Sequence, residues 1–152
     1  MKPCEVRQRI LQEHEKLRSL LQLVSDLARG VSEGEQGIAP ALESQARGLD
    51  HELRTHLDLE DRHLLPVVLE CLGEEAARDL SREHAEQRAL LEYVLVRLDD
   101  DARSAVLVAR DLENLAELLL DDMRGEEEAL LANPDLWDDL REDDLRPERE
   151  SS

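Results

Sequence analysis

At 152 residues the chain is one domain long, and with 38% of its residues charged and no Phe its core must be built from Leu, Val, Ala and Ile. A formal net charge of −19 argues against nucleic acid and anionic membrane surfaces, both of which attract a surplus of Lys and Arg. No apolar run approaches a membrane span, MKPCEVRQR lacks the form of a signal peptide, and two Cys are too few for a disulfide framework, so the expected address is the cytoplasm.

Four segments carry helical apolar spacing. The first runs from about Cys4 to Ala28, where RGVSEGEQGIAP, rich in Gly, ends it. The second begins near Pro40 and reaches about Cys71, with a kink expected at Pro66 and a stop at Gly73. The third covers Glu74 to Leu98, and DDDARS turns the chain. The fourth covers about Ala102 to Ala132 and stops at Asn133–Pro134. Short connections favour antiparallel neighbours, so the expected fold is all-α, an up-down-up-down four-helix bundle over residues 1–132. Residues 133–152 read as an acidic tail. There Asn133 caps a short helix that docks Leu136, Trp137 and Leu140, and disorder is expected beyond Asp143.

The chain repeats itself. QEHEKLRSLLQLV in the first helix and REHAEQRALLEYV in the third share Glu, His, Arg, Leu, Leu and Val at identical spacing. The second helix carries LRTHLDLEDRHLL and the fourth LLDDMRGEEEALL, so that Leu53 matches Leu119, Glu60 matches Glu126, and Asp61 meets Glu127. One position breaks the pattern, because His56 aligns with Asp122. The chain thus reads as two αα-hairpins related by a pseudo-twofold.

Residues at one height in an antiparallel hairpin are equidistant from its turn. His14 and His56 average to position 35, in the Gly-rich loop. His84 averages with the His56–Glu60 pair to about 71, and with the Asp122–Glu126 pair to 104. Both positions fall in turns. All four helices therefore bring polar groups to one level, each on an apolar stripe. Three carboxylates without a cationic partner would each cost several kcal/mol, of the order left after relaxation of the Born penalty. Metal ions answer both needs, neutralising acids and saturating imidazole nitrogens. Mixed His and carboxylate ligands favour iron, manganese or zinc over calcium or magnesium, and six groups suit two ions bridged by carboxylates.

These residues resemble the hemerythrin-like family of the HHE cation-binding type, over about residues 5 to 132. The resemblance rests on EH in the first and third helices, HLDLEDRHLLP in the second and EEEALL in the fourth. The family pattern is His, His-x3-Glu, His, His-x3-Glu, whose six side chains hold a non-haem diiron centre. It implies two iron ions, ferrous or ferric with an oxo or hydroxo bridge, with manganese or zinc as alternatives. By the same resemblance His14 and His56 hold one iron, His84 holds the other, and Glu60 and Glu126 bridge them. Asp122 stands where the family has its last His. An Asp reaches less far than an imidazole, so direct ligation requires the fourth helix to approach or a water between. A ferritin-like site needs Glu-x-x-His on two helices. Glu60-x-x-His63 supplies one, but the fourth helix has no His, which sets that architecture aside.

Further residues carry alternatives. His63 is a spare ligand or proton relay, or a half-exposed His beside Pro66. His51 falls on the solvent side. Arg18 and Arg88 follow their histidines by four and could pair with Glu60, Glu126 or nearby acids, or simply snorkel. Cys4 and Cys71 meet at one end of the bundle, as a redox pair or as two inert thiols. The expected function is binding or reducing O2, peroxide or NO at the metal centre, with oxidase- or peroxidase-like activity one form of it. The competing classes are a protein-interaction bundle with a degenerate metal site, and iron storage or sensing.

Overall fold

Amphipathic periodicity becomes helix almost throughout the residues described by the computed structural model, 2–100 and 104–137. The elements are α1 (Pro3–Ser32), a 3-10 turn (Gln36–Ile38), α2 (Ala39–His63), α3 (Leu65–Leu72), α4 (Glu74–Leu98), α5 (Ala105–Glu126), a π-turn (Glu127–Leu131) and α6 (Pro134–Trp137). Pro3, Pro40, Pro66 and Pro134 each stand in the first turn of a helix. There a missing N–H costs nothing and the fixed φ suits the helix. No helix among the described residues is long and apolar enough to cross a membrane.

The boundaries depart from the sequence expectation in three places. The first helix continues past Ala28 to Ser32. Gly30 does not break it, because it serves close packing: a Cβ there would lie 2.7 Å from the Ile38 side chain. The turn comes instead at Gly34, whose φ of 101° a side chain would strain. The expected kink at Pro66 is a division, with Leu64 separating α2 from α3. The fourth helix starts at Ala105, not Ala102, and residues 101–103 lie outside the described residues. The short helix after Asn133 is present as α6. Leu140 and the expected disorder beyond Asp143 lie outside the described residues.

The long helices pack α1 against α2 and α5, and α4 against α5, α2 and α3. Apolar side chains form two clusters. The larger includes Leu21, Val24, Leu49, Leu91, Leu112 and Leu115; the smaller contains Val6, Ile10, Leu64, Val68, Leu80 and Leu131. His14, His56, Glu60 and His84 are all buried and form a polar layer at the larger cluster's edge: His14 precedes Leu17 on α1, His84 precedes Leu91 on α4, and His56 and Glu60 follow Leu53 and Leu57 on α2. α6 closes the far end: Leu136 is fully buried, and Trp137 Nε1–H donates to Leu130 O at 2.8 Å.

Candidate metal centre

Each layer residue is set by helical spacing. His56 and Glu60, four apart on α2, stack one turn from each other on the inward face, as Asp122 and Glu126 do on α5. His14 Nε2 lies 3.1 Å from His56 Nε2, 3.4 Å from Glu60 Oε2 and 3.2 Å from Glu126 Oε1. His56 Nε2 lies 2.8 Å from Glu60 Oε2, and His84 Nε2 lies 2.9 Å from Glu60 Oε1. Glu60 therefore turns one oxygen to the His14–His56 pair and the other to His84.

The far nitrogens of all three rings are held by carboxylates. His14 Nδ1–H donates to Glu127 Oε2 at 2.7 Å, His56 Nδ1–H to Glu13 Oε1 at 3.0 Å, and His84 Nδ1–H to Asp61 Oδ1 at 2.6 Å. Arginines back these acids: Arg18 on Glu127, Arg88 on Asp61 at 2.7 Å, and Arg9 near Glu13 at 3.4 Å. Arg18 and Arg88 thus pair with nearby acids rather than with Glu60 or Glu126. An ionised carboxylate only accepts, so each Nδ1 carries hydrogen and each Nε2 presents its lone pair inward unless it binds a further proton or a metal. Two such lone pairs facing at 3.1 Å require a cation between or beside them.

The layer is filled with protons in its metal-free form. Burial disfavours charge on His14, but Glu126, Glu60 and Glu127 outweigh it and raise its pKa to about 10. His56 rises to about 9, with burial again overcome by Glu13 and Glu60. Burial and the adjacent Glu60 carboxylate push Glu126 up to about 8. Glu60 falls well below its ordinary value, since Glu126 and the three imidazoles overcome its burial.

Metal fits this layer on three observations. Glu60 Oε2, His84 Nε2 and Glu126 Oε1 are buried without an aligned hydrogen-bond partner, which suits atoms aimed at a shared centre. The cavity that Glu60 and Glu126 line with His14 and His56 has a volume of about 10 Å3, at the lower limit for a water molecule, so solvent is a poor partner. Ligand atoms of His14, His56, Glu60 and Glu126 all lie within 4.8 Å of one another. Opposite ligands of one ion at about 2.1 Å are roughly 4.2 Å apart, so only a small contraction is needed.

His84 joins this group through Glu60. Asp122 lines the same cavity but is held by Gln87, whose Nε2 donates to its Oδ2 at 3.0 Å. Burial raises the pKa of Asp122, and burial with the Asp122 charge raises Glu83 to about 7. His63 is half-buried at the end of α2, and His51 is exposed. Cys4, exposed, borders a surface cavity of about 340 Å3 with Arg7, Leu131 and Trp137, while Cys71 is half-buried on α3. Glu13, Asp61, Glu127 and Gln87 were missed in the sequence. The signal for three of them was present: each acid directly adjoins a residue of the buried cluster, in Glu13–His14, Glu60–Asp61 and Glu126–Glu127.

Among the described residues the ordered elements are all helical, and the buried His and carboxylate cluster fits a metal site, the makeup of a metal-binding helical protein. The hemerythrin HHE cation-binding domain matches residues 6–133, and the chain belongs to that family. No curated protein and no solved structure matches it.

Proposed function

We propose that the protein holds two metal ions, iron by preference, and binds or reduces O2, peroxide or NO there. The supporting observation is the facing pair of imidazole nitrogens with Glu60 divided between it and His84. His14, His56, Glu60 and Glu126 would hold one ion; His84, the other oxygen of Glu60, and Asp122 would hold its neighbour. Iron bound there supplies electrons and a coordination position for a small ligand. Glu127, Glu13 and Asp61 fix the imidazole tautomers, and the apolar clusters keep bulk water from both sides. A third carboxylate in place of a fourth imidazole favours ferric charge, so reduction of the ligand suits the site better than reversible carriage. The same reading takes the long helices as an up-down-up-down bundle and the cytoplasm as the location.

The test is metal content per chain after anaerobic reconstitution with ferrous iron, followed by absorbance changes on exposure to O2, peroxide or NO. Two irons per chain and a ligand-dependent spectrum are expected. One iron, rising to two in Asp122→His, would limit the natural site to a single ion. None, with the fold intact, would overturn the reading in favour of an interaction module.

A further inference from the structure

Four seams between helices surround the polar layer, and three are closed alike. At α1–α2 Glu13 stands between Arg9 and His56, at α1–α5 Glu127 stands between Arg18 and His14, and at α2–α4 Asp61 stands between Arg88 and His84. The internal repeat would place a fourth clamp at α4–α5. There Glu83 corresponds to Glu13, but Asp79 replaces Arg9 and Asp122 replaces His56. Both cationic partners have become acids.

This seam is open. A cavity of about 310 Å3 lies in it, bearing the carboxylates of Asp79, Glu83, Asp121, Asp122 and Glu126. Ala76, Gly125 and Ala129 leave room for it, and a Cβ on Gly125 would meet nothing within 4 Å. Glu126 and Asp122 line both this cavity and the inner cluster. The Glu126 side chain is only 7% exposed, and its Oε1, 3.2 Å from His14 Nε2, has no aligned hydrogen-bond partner, so a buried acceptor of the inner cluster also lines this cavity.

We propose that this seam is the port through which hydrated divalent cations enter and leave the buried cluster. The inference rests on the metal-binding reading above. An acidic mouth between low-dielectric walls concentrates cations and raises their entry rate. The outer carboxylates replace shed water one ligand at a time, and Asp122 and Glu126 pass the ion inward. At the other three seams an arginine backs the acid that holds the imidazole, whereas here Arg82 and Arg124 pair only with the outer acids Asp79 and Asp121, at 3.5 and 2.9 Å, and leave Glu83, Asp122 and Glu126 to face the cavity.

The experiment measures loading with Co2+ by stopped flow, and removal by excess chelator, in the full chain. Asp79→Arg rebuilds the missing clamp, and Gly125→Leu fills the mouth. Both positions are exposed, and Glu113→Arg, away from the cavity, controls for net charge. Slowing of about tenfold or more in both loading and removal is expected for the two port variants, with equilibrium ions per chain unchanged and the control within about twofold. Normal binding with unchanged rates in both variants would overturn the port alone. No Co2+ uptake by the wild type would overturn the port and the metal reading together.

Discussion

At Glu126 burial and the neighbouring Glu60 carboxylate raise the pKa to about 8, so at pH 7 the metal-free side chain is largely neutral. Glu126→Gln should therefore leave the metal-free melting temperature within a few degrees, while calorimetric titration with Mn2+ shows at least tenfold weaker binding. Glu60 behaves oppositely. It is the ionised acceptor shared by three imidazoles, and Glu60→Gln should cost the metal-free protein about 3–5 kcal/mol in chemical denaturation, the scale for breaking a buried ion pair. Arg88→Ala, which frees Asp61 and through it His84, should weaken metal binding by about 10–100-fold. Buried polar positions were legible in the sequence because a His or Glu stands out on an apolar stripe. The orienting acids were not. They lie at the flanks of those stripes, among 38 Asp and Glu, where an acid normally means only a solvated surface.

Helices that carry the site are interrupted just beyond it. α2 divides at Leu64, four residues past Glu60, and α5 passes into the π-turn directly after Glu126. Within the π-turn Ala132 N–H donates to Glu127 O, and Arg7 Nε–H caps Leu131 O at 2.6 Å. Such widened turns recur at functional sites. Pro66 made the first interruption legible, since it cannot donate to the preceding turn. Nothing in EEEALL distinguishes a π-turn from an α-helix, and Gly30 misled because a small residue chosen for packing looks like a breaker. α6 locks the second interruption in place. Leu136→Ala should destabilise the chain by about 2–5 kcal/mol, from lost burial and the cavity left behind, read as a lower denaturant midpoint at an unchanged slope.

Proton uptake by the layer governs stability as a whole. His14, raised to about 10, and His56, raised to about 9, bind protons more tightly folded than unfolded, where the value is near 6.5. Their contribution is full below pH 6.5 and is lost as pH rises through 9 to 10. Glu126, at about 8, acts in the same sense from pH 4.5 upward. Glu60, Glu13, Glu127 and Asp61 are all lowered, so their contribution is present above about pH 4.5 and fades below it. Metal-free protein should melt highest between about pH 4.5 and 6.5. Bound cations take the place of these protons, so the loaded protein should have its maximum at higher pH, as thermal melts from pH 4 to 10 would show.

Two apolar clusters separated by a charged layer make the molecule two blocks joined by a seam of protons. Blocks so joined can open one at a time. Native-state hydrogen exchange on the metal-free protein should find backbone amides around Val6–Leu11, Leu64–Val68 and Ala77–Leu80 opening at lower free energy than those around Leu17–Ala28 and Leu112–Leu119. Metal would act on this as a rivet, and its addition should merge the two populations into one. Single-step exchange in the metal-free chain would show that packing across the layer already unites them.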